Sequence, residues 1–289
     1  MRNILKPCKN ILFPKSLYYG KSVLVTGGGS GLGKQIAKDY CKLGARVTII
    51  GRKKEKLEHA SNEIFEKTNN KPFTYPLDVR DRGAICDLAN TLHDESRTPQ
   101  IIINNAAGNF ISKTENLSEN AWNSIIDIVL KGTINITTVF GKKLIDLKLP
   151  GTFVNISTTY AETGSSFVVP SAVAKAGCNN LTKSLASEWG KYGITLNSVA
   201  PGPIYTEGAF SRLDPENKFS KLAESRLPSG RLGEKEELSN FVTYLTSDYC
   251  NWMTGQIINF DGGEVVGNSG EFNFLHYLDD SQWSMYSKI

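Results

Sequence analysis

The chain has 289 residues, enough for one α/β domain of ordinary size around a buried sheet, with 40% hydrophobic and 21% charged residues. No run approaches the ~18 consecutive apolar residues of a membrane-spanning helix. The net charge of +4 is uneven: Arg2, Lys6, Lys9, Lys15 and Lys21 stand in an acid-free N-terminal stretch, and without them 28 basic residues face 29 acidic ones. The body is therefore near neutral, and a nucleic-acid-binding face is not expected.

Residues 1–20 are expected to form a basic N-terminal arm. Transit peptides are also basic and acid-free, but Pro7, Pro14 and several large apolar residues favour an arm packed on the body. From there, strand-length apolar runs alternate with helix-length amphipathic ones. Ser22–Thr26 reads as a strand and Gly31–Leu43 as its helix. Arg46–Ile50 is a second strand, followed by a charged helix over residues 53–67. Phe73–Leu77 is a third strand, and Asp81–Glu95 a helix with Asp81 as N-cap. Ile101–Asn104 is a fourth strand, Ser118–Leu147 one long helix, and Thr152–Ile156 a fifth strand. Helix Pro170–Lys191 opens with proline. Ile194–Val199 is a sixth strand, Glu234–Thr246 a helix, and Gln256–Phe260 a seventh strand. Such alternation with short connections gives parallel strands and right-handed crossovers.

The expected fold is a single α/β domain over residues 21–263: a doubly wound, seven-stranded parallel sheet with helices on both faces. Residues 205–233 break the alternation and have the length of a substrate-covering lid. The extension 264–289 has no assigned chemistry, and its final Ser287-Lys288-Ile289, one residue from a peroxisomal signal, is read as coincidence. The five cysteines, Cys8, Cys41, Cys86, Cys178 and Cys250, are scattered, with no CxxC pair. Neither a disulfide framework nor a metal site is expected.

Chemistry enters with Thr26-Gly27-Gly28-Gly29-Ser30-Gly31-Leu32-Gly33, which leaves the first strand and opens the first helix. Glycines there let the chain turn tightly and approach a pyrophosphate at the helix N-terminus; the plain alternative is a tight turn. The second strand ends Ile50-Gly51-Arg52-Lys53-Lys54, with no acid until Glu55. An acid there would hold a ribose 2′-hydroxyl, whereas Arg52 suits a 2′-phosphate; a solvated basic turn is the alternative.

The GxxxGxG spacing of Gly27, Gly31 and Gly33 resembles that of the short-chain dehydrogenase/reductase family, a Rossmann-type family. Further blocks carry the resemblance over about residues 20–263: Leu77-Asp78-Val79, Asn104-Asn105-Ala106-Ala107-Gly108, Pro201-Gly202-Pro203-Ile204 and Phe260-Asp261-Gly262-Gly263. It implies NADPH held by the glycine loop, Ser30, Leu32, Arg52, Asp78, Lys175 and residues 201–204.

The family's usual catalytic pattern is altered. Four residues before Lys175 stands Ser171 instead of tyrosine, and thirteen before that Thr158. Tyr160, just past the fifth strand, is the nearby phenol, expected to arrive from a loop. The blocks Tyr160–Ser165, Phe167–Ala172, Asn105–Ser112 and Gly208–Pro215 resemble 2,4-dienoyl-CoA reductases of the mitochondrial type. The resemblance implies reduction of a 2,4-dienoyl-CoA to the trans-3-enoyl thioester in β-oxidation of unsaturated fatty acids. Tyr160 and Asn109 would donate to the thioester oxygen, Lys175 would bind the nicotinamide ribose, and Ser171 would help place it. Arg52, Arg80, Phe110, Ser118 and Arg212 match positions that contact the CoA ester. A homotetramer and a mitochondrial location are also implied. Where relatives have an asparagine in the long helix stands Lys131, which either breaks a water-linked proton path or substitutes its own amine. Two other readings stay open: a reductase of another enoyl or keto thioester, and a NADPH-binding sensor or scaffold without catalysis.

Overall fold

A computed structural model describes residues 6–11, 13–206 and 218–286. Seven strands, β1 (Ser22–Thr26), β2 (Arg46–Gly51), β3 (Phe73–Pro76), β4 (Ile101–Asn104), β5 (Gly151–Ile156), β6 (Ile194–Pro201) and β7 (Ile257–Phe260), form one sheet in the order β3-β2-β1-β4-β5-β6-β7. Every pairing is parallel. Parallel sheets need both faces covered, and β1 and β4 are buried along their whole length.

Alternate side chains feed two cores. Val23, Val25, Ile101 and Ile103 face one layer with α1 (Gly31–Lys42), α2 (Lys54–Thr68) and the helix Lys235–Leu245. Leu24 and Ile102 face the other, with Phe140, Phe153 and Trp189, against α3 (Arg82–Asp94), α5 (Gly132–Asp146) and α7 (Val169–Trp189). Asp81 caps α3 as the sequence indicates, its side chain accepting from Ala84 N.

Most element ends fall within one or two residues of the sequence reading, and two differences have a clear cause. The expected single helix over 118–147 is α4 (Glu119–Ile125) joined to α5 through a π turn at Ile126–Lys131. The apolar pattern runs unbroken through Ile126-Asp127-Ile128-Val129, so periodicity does not reveal the extra residue that a π turn accommodates. β6 runs to Pro201 instead of Val199, because Ala200 and Pro201 still pair with Asn259 and Phe260. The 28-residue helical run Glu119–Asp146 is long and apolar enough to cross a bilayer, but half of its apolar window is buried in the fold.

The segment before β1 is fastened by Tyr18. Its ring meets Tyr40 edge-on at 5.0 Å, and its hydroxyl donates to the Thr243 carbonyl at 2.5 Å. Tyr18 is 2% exposed while its neighbour Tyr19 is 83% exposed. Tyr18→Ala should therefore lower the unfolding free energy by about 3–5 kcal/mol, the usual cost of truncating a large buried aromatic. Tyr19→Ala should stay within about 0.5 kcal/mol of wild type. Urea denaturation of the two variants checks the contrast.

Candidate active site

The order in which strands are added switches sides between β1 and β4, with β2 and β3 on one side and β4 to β7 on the other, and such a switch opens a crevice at the carboxyl ends of the strands. A cleft of about 1280 Å³ lies there. Its wall includes Ser30, Gly31, Leu32, Arg52, Asn109, Tyr160, Ser171, Lys175 and Pro201, Gly202, Pro203 and Ile204. Most of the residues singled out from sequence thus converge on one space.

The glycine loop is shaped by its contact with the end of β4. Thr26 Oγ1 accepts from the backbone N–H groups of Asn105 and Ala106 at 2.9 and 2.8 Å. The Asn105 amide returns a bond to the Thr26 carbonyl at 3.0 Å. A β-carbon at Gly33 would come within 2.5 Å of both Asn105 Nδ2 and the Gly27 carbonyl, and Gly27 sits at φ +65°. Gly27, Gly28 and Gly29 lie behind the cleft wall and let the chain turn. Ser30 occupies the N-cap position of α1 in extended backbone with no side-chain cap bond, and the first turn carries no acid. The first-turn N–H groups are therefore available to an anion, and the cradle fits a pyrophosphate.

Ser171 and Lys175 lie one turn apart on α7, 3% and 7% exposed. Tyr160 does not arrive on a loop. It opens a one-turn helix, α6 (Tyr160–Thr163). That turn brings its hydroxyl within 3.2 Å of Ser171 Oγ. The Asn109 amide donates to the same phenol oxygen at 3.3 Å. Asn109 is itself oriented, because its Oδ1 accepts from Phe110 N at 2.9 Å and leaves Nδ2 facing the phenol. The Lys175 ammonium donates to the Ile156 carbonyl, and burial pushes its pKa down.

Several expected ligand contacts are not on this wall. Arg80 is held by Asp78 at 2.6 Å through Nη2 and 3.0 Å through Nε, which keeps the Asp78 carboxyl below its usual range. Two residues apart in one turn, they satisfy each other locally. Ser118 caps α4, accepting from Ala121 N at 3.2 Å. Phe110 packs on the small core of Ile125, Val129, Ala174 and Cys178. Lys131 is exposed and lies 3.8 Å from Asp127, off the cleft, so the geometry does not support its amine standing in for an active-site amide. Arg212 and residues 207–217 of the expected lid fall outside the described residues; the described part includes the helix Lys218–Arg226.

Among the cleft residues given no role from sequence are Asn105, Thr206 and Glu264. Asn105 lay within a quoted motif, and its neighbours gave no sign that it braces the glycine loop. Glu264 is the first residue of the extension that was left without chemistry. It accepts from Thr159 Oγ1 at 2.9 Å, and burial pushes its carboxyl pKa up.

A family model described as enoyl-(acyl carrier protein) reductase matches residues 27–264. The chain belongs to the short-chain dehydrogenase/reductase family. It is 44% identical over 285 residues to a Caenorhabditis elegans protein named as a probable 2,4-dienoyl-CoA reductase producing (3E)-enoyl-CoA, covering 96% of this chain and 91% of that one. It is 39% identical over 245 residues to a Bacillus subtilis protein named as a probable 2,4-dienoyl-CoA reductase producing (2E)-enoyl-CoA, covering 84% and 96%. A crystal structure of a short chain dehydrogenase from Bacillus anthracis superposes with a TM-score of 0.77 at 42% identity, covering 85% and 96%. The protein is accordingly an oxidoreductase of this family that uses a nicotinamide cofactor.

The burial of Lys175 has a measurable consequence. Its lowered pKa means that the unfolded chain binds more protons between that lowered value and the ordinary lysine value of about 10.4. Stability contributed by this group therefore rises with pH across that window. Lys175→Met removes the slope. The unfolding free energy of the wild type relative to this variant should rise from pH 7 to pH 10, read by urea denaturation of the cofactor-free proteins.

Proposed function

We propose that the protein is an NADPH-dependent 2,4-dienoyl-CoA reductase that yields the trans-3-enoyl thioester during β-oxidation of unsaturated fatty acids. One arrangement carries this reading: the Tyr160 phenol, contributed by the turn after β5, lies between the Asn109 amide and the Ser171 hydroxyl, while Ser171 holds the helix position of the family's usual tyrosine. The names of relatives at 44% and 39% identity support it.

NADPH would be held by Gly27, Gly28, Gly29, Ser30, Gly31, Leu32, Asp78, Lys175 and residues 201–204, with Arg52 at the 2′-phosphate. Arg52 is on the cleft wall, and a charge-assisted bond there is worth roughly 1.5–3 kcal/mol. When bound, the reduced nicotinamide supplies a hydride to the δ-carbon of the conjugated thioester. The remaining work falls to side chains of this chain. Negative charge develops on the thioester oxygen, far from the carbon that gains hydride, so the site needs donors aimed at that oxygen. Tyr160 and Asn109 are those donors. Ser171 steadies the phenol from the other side. Lys175 has its ammonium directed by the Ile156 carbonyl and binds the ribose hydroxyls.

Protonation at the α-carbon gives the 3-enoyl product and protonation at the γ-carbon the 2-enoyl one; the named products of the two relatives differ in this way. The 3-enoyl outcome follows the more similar of the two. The CoA ester is proposed to reach Phe110, Ser118 and Arg80 only along the outer rim, since they lie off the inner wall; Arg212, proposed for the same ester, lies outside the described residues. The organisation proposed is an arm over 1–20, a reductase domain over 21–263 and an extension from 264 whose first residue enters the cleft. A homotetramer in the mitochondrion completes the reading, on the resemblance alone.

Purified protein with NADPH and 2,4-hexadienoyl-CoA should consume cofactor and diene absorbance together. Tight cofactor binding without turnover on any thioester would instead favour a sensor. Tyr160→Phe should lower kcat by about a hundredfold, with NADPH affinity measured by fluorescence nearly unchanged. Arg52→Ala should weaken NADPH by on the order of tenfold or more and leave NADH affinity within a factor of about two. Equal losses for both cofactors would count against the 2′-phosphate contact.

A further inference from the structure

The acids lining the cleft among the described residues are Glu63, Glu236 and Glu264. Two of them belong with lysines of α1: Glu63 lies 2.6 Å from Lys34, and Glu236 lies 4.0 Å from Lys38. Glu264 is the one beside the catalytic turn. Its Oε2 accepts from Thr159 Oγ1 at 2.9 Å, and Thr159 directly precedes Tyr160. Its other oxygen has no hydrogen-bond partner among the described residues.

The backbone beneath this carboxyl is fixed. Asp261 accepts from Gly263 N and Val265 N, each at 2.9 Å. That closes the turn from which the helix Glu264–Ser269 starts. Gly263, at φ +87°, packs against Pro228, where a β-carbon would come within 2.9 Å of the ring. The group is thus aimed by packing and not left on a free tail.

The reaction needs such a group. Tyr160 and Asn109 are committed to the thioester oxygen, and the Lys175 ammonium donates to the Ile156 carbonyl, yet the α-carbon must still gain a proton. We propose that Glu264 is the general acid that delivers that proton. The proposal rests on the dienoyl-CoA reading above. In the dienolate, the oxygen carries the electron pair displaced by hydride addition at the δ-carbon. The carbonyl re-forms as the pair between C1 and the α-carbon takes the Glu264 proton. The double bond is left between the β- and γ-carbons, and the Glu264 carboxylate regains its proton from water at the cleft mouth. Burial, reinforced by the charge of Asp261 and partly offset by the Thr159 hydroxyl, favours the protonated carboxyl, the form that a general acid requires.

The reverse half of this step can be followed without cofactor. Cofactor-free wild-type protein in D2O should exchange the α-hydrogens of trans-3-hexenoyl-CoA, read by NMR or mass spectrometry. E264Q should slow that exchange by on the order of a hundredfold or more, and E264D, which keeps the carboxyl, should recover much of it. With NADPH and 2,4-hexadienoyl-CoA, E264Q should also show a lower kcat and a larger solvent isotope effect. E264Q matching wild type in exchange and isotope effect overturns the proposal, and so does equal loss in E264Q and E264D, which would point to packing. If wild type reduces no dienoyl thioester, the functional reading fails and this inference with it. Wild-type turnover with an indifferent E264Q sinks the inference alone.

Discussion

The arrangement on which the site depends is the pair of neighbours around one phenol oxygen. Tyr160 receives the Asn109 amide on one side and meets the Ser171 hydroxyl on the other. Either oxygen of the Tyr160–Ser171 contact can donate; with Ser171 as the donor, the phenol proton is left for a third partner in the cleft. A phenol without those neighbours would turn about its side-chain bonds and lose the preorganisation that makes a donor effective against developing charge. The phenol on the turn after β5 is held in place because Asn109 and Ser171 reach it from two other segments.

Those segments are tied together through the sheet by buried polar side chains. The Asn104 amide, on β4, donates to Thr137 on α5 and to Asn155 on β5. The Asn155 amide donates to Thr182 on α7, and Thr182 meets Ser198 on β6. Polar groups this deep are costly unless satisfied; Asn104 Oδ1 is left without a partner, but the remaining bonds of the ladder fix the depth of α7 relative to the strand ends. Ser171 and Lys175 sit two to three turns before Thr182 on the same helix. Their approach to Tyr160 is set by side chains that do not line the cleft.

The glycine loop follows the same logic at the other end of the cleft. Its shape owes as much to Asn105 as to the glycines, since Asn105 occupies the space that any side chain at Gly33 would need. Thr26, at the end of β1, holds both sides of that contact. The cradle is a joint between two strands, and the switch in strand order at β1 and β4 is what brings those strands together.

Much of this was legible in the amino-acid sequence. Apolar runs of strand length separated by helices gave the parallel sheet, because period and loop length follow from local geometry. Gly27 to Gly33 and Arg52 carried their chemistry in residue type and spacing, whereas Tyr160, Ser171 and Lys175 were singled out by the resemblance to the family; Gly27, Gly28, Gly29 and Gly33 pack behind the cleft wall and the others line it. Other features depended on who the neighbour is. Tyr18 and Tyr19 look alike in sequence, and only packing buries the first. Arg80 looked free for an anionic ester until Asp78 took its guanidinium. The π turn before Gly132 left no trace in the periodicity. Glu264, distant in sequence from Thr159, gained its place only when β7 came to lie beside β6 and delivered the chain's next turn to the cleft. Local sequence determines which groups a protein has and how its backbone bends nearby; which of those groups meet is decided by long-range burial, because a contact between remote residues exists only once the core has formed around it.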